Sequence, residues 1–227
     1  MKKAMFKIVA LSMLIILILP AANAQDMSLG VALKGSTMGP GGDVVFQFHE
    51  KMTARLGYDY LGLGPYDFSF EESDISYNAS AKVKTGSITA LYDYYIAKIF
   101  FVSAGFGINN FNVSVSGRAG SDLPWGDISV PKDKIGDFDI TVNPGLKVSP
   151  YLGVGLGRTL STKLVGFAFE IGTYYMGGPN VNIESTGLIA PTSDPEKGQA
   201  AVLENQISQY YLYPVVKLNL SFKITSF

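Results

Sequence analysis

Cysteine is absent from the chain, so it has neither disulfides nor thiolate metal sites. A secreted chain of 227 residues without cross-links takes its stability from another source, and a closed ladder of strand hydrogen bonds supplies one. Histidine is nearly absent too, with His49 alone, and no His-rich metal spacing, Gly-x-Ser-x-Gly elbow or phosphate loop occurs. Beyond the first 24 residues there is no long apolar run: apolar side chains alternate with Gly, Ser, Thr, Asn and charges, and nothing approaches the roughly 20 apolar residues of a spanning helix. Nor is there a basic excess. The chain has 18 basic and 19 acidic residues, and three of the basic ones lie in its first seven positions, which leaves the remainder at −4. A general nucleic-acid binder, which carries a basic stripe, is excluded.

The first residues set the compartment. Lys2, Lys3 and Lys7 form a basic region, and Ile8 to Leu19 is an apolar run broken only by Ser12. Pro20 ends the run, and Ala22-Asn23-Ala24 provides a small-x-small cleavage site. Cleavage between Ala24 and Gln25 is expected, giving a signal peptide over 1–24 and a single mature domain over 25–227.

What fills the mature chain is a period of two. From Val216 the even positions Val216, Leu218, Leu220, Phe222 and Ile224 are apolar, and the odd positions Lys217, Asn219, Ser221 and Lys223 are polar. The pattern recurs, predicting strands near 27–36, 43–48, 53–63, a fourth ending at Ile96, then 100–113, 148–157, 163–176 and 211–224. The polar face is rich in glycine, which leaves room in a narrow interior for Lys, Arg, Glu and Tyr. Amphipathic strands behind a secretory signal turn their oily face to lipid, and strands in lipid must close into a ring. The expected fold is all-β: an eight-stranded antiparallel up-and-down transmembrane β-barrel.

Short connections over 49–52, 97–99 and 158–162 alternate with connections over 37–42, 64–80, 114–147 and 177–210. Short turns on one side and long loops on the other put both termini in the periplasm of a Gram-negative cell, with the loops outside its outer membrane. Two aromatic girdles are expected. Tyr58, Tyr60, Tyr174, Tyr175, Tyr211 and Tyr213 fall at outer ends; Phe46, Phe48, Tyr94, Tyr95, Phe100 and Phe222 fall at inner ends. The three longest loops carry −4, −1 and −3, which suits either a solvated surface or divalent cations shared with lipopolysaccharide phosphates. In the last loop Ser193 or Asp194 caps a helix, Pro195 suits its first turn, and Ala200, Leu203, Ile207 and Tyr210 make an apolar stripe.

Three segments carry a family resemblance: Leu29-Gly-Val-Ala-Leu-Lys-Gly, Ser149-Pro-Tyr-Leu-Gly-Val-Gly-Leu-Gly and Tyr213-Pro-Val-Val-Lys-Leu-Asn-Leu-Ser-Phe. With them the chain resembles small bacterial outer-membrane barrels of the OmpW and OmpA-transmembrane-domain type. The likeness spans Met27 to Ile224 and speaks to architecture rather than chemistry. Such barrels usually end on an aromatic residue in phase with the lipid face, read by the barrel-assembly machinery. Here the in-phase residue is Ile224, and Phe227 is out of phase. The resemblance implies a monomer, in contact with outer-membrane lipid and lipopolysaccharide, that is structural or passes small apolar molecules.

The candidate site is the interior. Lys34, Arg55, Lys217 and Lys223 face in, with Asp59, Asp93 and Glu170. Buried charges persist only when paired, so a network across the lumen is expected, with Glu170 and Lys217 on neighbouring strands and Arg55 and Asp59 on one inner face. It serves either as a plug or as a gate. No catalytic group, cofactor or metal is assigned, and the reading is non-enzymatic. A surface adhesin or receptor acting through the long loops is the alternative, and a lipid-modifying enzyme using His49 a third.

Overall fold

The computed structural model describes residues 27–72, 75–125, 128–161, 163–194, 199–207 and 209–227; the expected signal peptide lies outside them. The alternating segments form antiparallel strands. In chain order β1 (Ser28–Ser36), β2 (Gly39–His49), β3 (Met52–Glu72), β4 (Ile75–Tyr95) and β5 (Phe100–Asn109) pair in sequence. The loop after β5 contains β6 (Asn112–Ala119), β7 (Leu123–Trp125), β8 (Ile128–Val130), the short helix α1 (Lys132–Ile135) and β9 (Asp137–Asn143). β10 (Val148–Gly157) then pairs with β5, and β11 (Val165–Tyr175) with β10. After β12 (Asn180–Ser185), a 3-10 helix (Gly187–Ser193) and helix α2 (Gln199–Ile207), β13 (Leu212–Ser226) pairs with β11 on one edge and with β1 on the other. That last pairing, with Leu33 opposite Leu220, closes β1–β5, β10, β11 and β13 into a ring.

The ring has the expected strands, but the hydrogen-bonded sheet has 11. Residues expected to be loops are strands. β3 and β4 run together for 21 residues each, far past Leu63, and β6, β9 and β12 add to the upper part of β4. The alternation that makes a barrel strand continues here in Tyr66, Phe68 and Phe70 against Asp67 and Ser69; Gly64-Pro65 only shifts the register, between Leu63 and Tyr66. β2 is also longer than expected. Its start, Gly39-Pro40-Gly41-Gly42, pairs along β1, leaving a tight turn at Thr37-Met38. Glycine is needed at Gly39, where φ is 121° and a Cβ would collide with the Tyr60 carbonyl.

Both faces of the ring follow the sequence parity. Val31, Leu33, Leu56, Ile88, Leu152, Val154, Phe167, Leu218 and Leu220 are exposed on the outside, while Lys34, Arg55, Asp93, Ser103, Tyr151, Glu170 and Lys217 are buried inside. Three girdle assignments fail for the same reason. Tyr95, Tyr174 and Tyr213 occupy inward positions: Tyr95 and Tyr174 are buried, Tyr174 with its ring centroid 4.6 Å from that of Tyr151, and Tyr213 is half-buried against the same cluster. A helix is present in the last loop as α2, but Ser193 and Asp194, expected to cap it, instead end the 3-10 helix before it; Pro195 lies outside the described residues, and Tyr210 is past the helix's end. Ala200, Leu203 and Ile207 are half-buried, and Glu204 accepts a hydrogen bond from the Val181 amide, so the helix rests on β12. Among the described residues no helix is long and apolar enough to cross a membrane, which leaves strands free to do so.

Small residues let the strands approach. A Cβ on Gly105 of β5 would run into the Ala90 carbonyl oxygen and lie 2.9 Å from the Leu91 Cα, both backbone atoms of β4. We therefore expect Gly105→Val to part β4 from β5 and to cost roughly 1–3 kcal/mol. Urea unfolding of the detergent-refolded barrel, followed by heat-modifiable gel mobility, measures it; wild-type resistance would show that this pairing is not tight.

Candidate functional site

The inward residues named from the sequence meet in the middle of the ring. Lys34 Nζ lies 2.8 Å from Asp43 Oδ1 and 2.9 Å from Asp59 Oδ2. Arg55 Nη2 lies 2.7 Å from Asp93 Oδ1 and 2.8 Å from Glu170 Oε2, and its Nη1 is 3.7 Å from Asp43 Oδ2. Lys217 Nζ is 3.6 Å from Glu170 Oε1, as the β11–β13 register, which sets the two residues opposite each other, requires. Every one of these side chains is buried. Asp43 is an addition: it stands at an inward position of β2, and the parity of Val45 and Gln47 finds it once the strand is read through its glycines. Asp59 bonds Lys34 rather than Arg55, its inner-face neighbour. Lys223 is half-buried at the level of Gly30, below the network.

Four carboxylates face three cations, and neutral donors satisfy the difference. The Ser87 amide and hydroxyl donate to Asp59 Oδ1 at 2.9 and 3.1 Å. The Ser103 and Thr159 hydroxyls donate to Asp93 at 2.7 and 3.0 Å, and the Tyr151 hydroxyl donates to Glu170 Oε1 at 2.6 Å. Lys217 Nζ also sits 3.7 Å from the centroid of the Tyr151 ring, a cation–π contact. Each ring strand contributes: Lys34 from β1, Asp43 from β2, Arg55 and Asp59 from β3, Asp93 from β4, Ser103 from β5, Tyr151 from β10, Glu170 from β11 and Lys217 from β13.

Apolar layers close both ends of this ionic layer. Toward the loops Met38, Tyr151, Tyr174, Met176 and Val215 pack together with Leu91. Toward the short turns lie Ala32, Val45 and Leu160, and beside them Tyr95, Phe101 and Ala168. Thr159 and Leu160 come from the β10–β11 connection, expected as a plain surface turn. It instead folds into the ring: both residues are 1% exposed, and the Thr159 amide donates to the Tyr95 hydroxyl at 2.8 Å. Arg158 latches it, donating to the Glu50 carbonyl at 2.8 Å and stacking 4.6 Å from the Tyr95 ring centroid. No spacing rule marks this insertion; its one signal is the pair of inward glycines Gly30 and Gly166, which leave space that Leu160 and Ser161 fill.

His49 is exposed in the first short turn, where its Nδ1 accepts a hydrogen bond from the Lys51 amide. Outside the ring, the rising ends of β3, β4, β6, β9 and β12 form a cleft of about 1100 Å³ whose lining includes Asp67, Phe68, Arg118, Phe138, Asp139 and Glu184. Among the described residues no group of His, Cys, Asp and Glu is arranged to hold a metal ion.

No protein-family profile matches the chain, and no curated protein is similar to it in sequence. Solved structures are similar in fold. CarO2 of Acinetobacter baumannii superimposes with a TM-score of 0.55 at 19% identity, covering 88% of this chain and 100% of that one. CarO of the same organism gives 0.51 at 18% identity, covering 86% and 97%. A major outer membrane protein from Thermus thermophilus gives 0.38 at 14% identity, covering 89% and 100%. The likeness to the CarO proteins is one of fold. It does not single out the OmpW or OmpA type.

The energetic weight of the network is measurable. Arg55→Met should destabilise the barrel by about 3–5 kcal/mol, because Asp93, Glu170 and Asp43 would stay buried without their shared cation. Adding Glu170→Gln should recover part of the loss. Urea titration of the refolded protein checks both, and a loss below about 1 kcal/mol for Arg55→Met would mean that solvent reaches these carboxylates.

Proposed function

We propose that the protein is a monomeric, non-enzymatic outer-membrane β-barrel with a closed lumen, whose work in the envelope is structural and whose loops present a built surface outside. The observation that carries this reading is the filled interior: an ion network with a residue from every ring strand, buried between two apolar layers, inside a wall whose outer face is aliphatic. The fold shared with the CarO proteins agrees with it. Its contacts are outer-membrane lipid, lipopolysaccharide and the barrel-assembly machinery, and its termini are periplasmic. Passage of small molecules would require the Thr159–Leu160 insertion or the upper apolar layer to move. A second reading, a surface receptor, is favoured by one observation: the longest loops build a sheet with a cleft rather than loose coil.

Planar-bilayer recording tests the closed lumen: conductance should be small and intermittent, and a large steady conductance in the unaltered protein would overturn it. The same preparation tests insertion. Leu220→Arg, which puts a cation on the lipid face, should cost roughly 2–4 kcal/mol and reduce insertion into vesicles, whereas Leu220→Val should not. On intact cells trypsin should cut at the exposed Lys132 or Lys134 and spare Lys98; the opposite pattern would reverse the orientation.

A further inference from the structure

At the loop end of the ring β4 changes partner. Its residues Ser87–Tyr95 pair with β5, and Tyr77–Lys84 pair with β6. Between the two stretches the Asn110 amide bonds the Gly86 carbonyl at 2.9 Å. A cleft of about 520 Å³ opens at this fork, lined by Tyr60, Lys84, Phe111, Asn112, Asn143 and Lys147. Lys84 has the parity of the outward residues Ile88 and Ala90. Tyr58, Ile88 and Ile108, nearer the ring's middle, are exposed and apolar, so the cleft stands where the oily band ends.

Its chemistry is that of an anion site. Neither Lys84 nor Lys147 has an ion pair among the described residues, although the chain is acidic and its three inner cations are all paired. Lys84 stands opposite Asn112 in the β4–β6 register. The Asn112 side-chain amide donates to Asn143 Oδ1 at 2.9 Å, which leaves the Asn143 NH2 group as a further donor, and Tyr60 lines the same cleft. No carboxylate lines the cleft, and Asp59, next to Tyr60 in β3, is turned inward onto Lys34 at 2.9 Å and onto Ser87. Two ammonium groups with amide and hydroxyl donors, and no free carboxylate among them, select a phosphate.

Resting on the outer-membrane reading above, this level of the wall is that of the outer-leaflet headgroups. We propose that the Lys84–Lys147 cleft binds the phosphate group of an outer-leaflet lipid. The ring presents its apolar wall to the acyl chains, and the fork above it holds the headgroup that those chains carry.

Refolded protein in nonionic detergent is titrated with diphosphorylated lipid A, with the same lipid after phosphatase treatment, and with inorganic phosphate, with retention read by native mass spectrometry. The phosphorylated lipid should be retained, the dephosphorylated lipid and free phosphate far less. Lys84→Gln and Lys147→Gln should each weaken retention roughly fivefold. The pair Lys51→Gln and Lys98→Gln, in the short turns, should leave it unchanged, and Lys84→Arg with Lys147→Arg should restore it. Heat-modifiable mobility confirms that each variant is folded. Equal retention by the double glutamine variant, or of the dephosphorylated lipid, would overturn the proposal; free phosphate binding as tightly as the lipid would overturn it in favour of a free-anion site. Failure of the unaltered protein to insert into vesicles overturns the membrane reading, whereas insertion without a preference for phosphate overturns this inference alone.

Discussion

The Arg55 guanidinium is the constraint on which the interior depends. Its planar fork reaches Asp93 and Glu170 at hydrogen-bond distance and Asp43 at 3.7 Å, and so joins β3 to β2, β4 and β11 across the ring. Lys34 and Lys217 extend the same network to β1 and β13. A ring built on backbone hydrogen bonds alone fixes the distance between neighbouring strands. It does not fix which side chains meet across the middle. The network does, because each buried carboxylate is tolerable only beside its cation, and a register slip of one residue on any strand would turn that carboxylate out to the oily face.

The apolar layers follow from the same constraint. An ion network exposed to a water column would be screened and loosely held; between Met38, Tyr151 and Tyr174 on one side and Leu160, Val45 and Phe101 on the other it is buried. Tyr151 belongs to both layers. Its ring packs against Tyr174 and carries Lys217, while its hydroxyl donates to Glu170. The inserted Thr159–Leu160 turn does likewise at the other end, with its threonine bonded to Asp93 and its leucine among Ala32 and Val45.

Parity makes most of this legible in the sequence. A period of two sorts Lys34, Arg55, Asp59, Asp93, Glu170 and Lys217 to one face without any structure, and closure into a ring brings that face together. Where the sequence reading stops short, a second expectation overrules parity. Gly39-Pro40-Gly41-Gly42 looks like a loop, which shortens β2 and hides Asp43, although in a ring the glycines serve close approach. Residue type draws Tyr95 and Tyr174 to the girdles, though their positions point inward. The pairing of Asp59 with Lys34 rather than Arg55 depends on side-chain reach across β2, which no spacing encodes.

The long loops defeat the sequence reading for an instructive reason. Their alternation is as regular as in the ring, but the polarity of the two faces is exchanged. On β4 the outward residues run Tyr94, Tyr92, Ala90 and Ile88, then Lys84, Lys82, Ser80 and Asn78. The strand does not end where the oily face ends; it continues with its outside made polar. The inward parity changes in the opposite sense, from Asp93, Thr89, Ser87 and Thr85 within the ring to Val83, Ala81, Ala79 and Tyr77 above it, and it finds new cover. Ile135 of α1 and Ile189 of the 3-10 helix pack with Ile75, Tyr77 and Ala119, so the helices of the loops replace the opposite wall of the ring. One strand thus serves two environments by exchanging the character of its two faces, and the change of partner from β5 to β6 falls at that boundary because there the ring closes and the outer sheet begins.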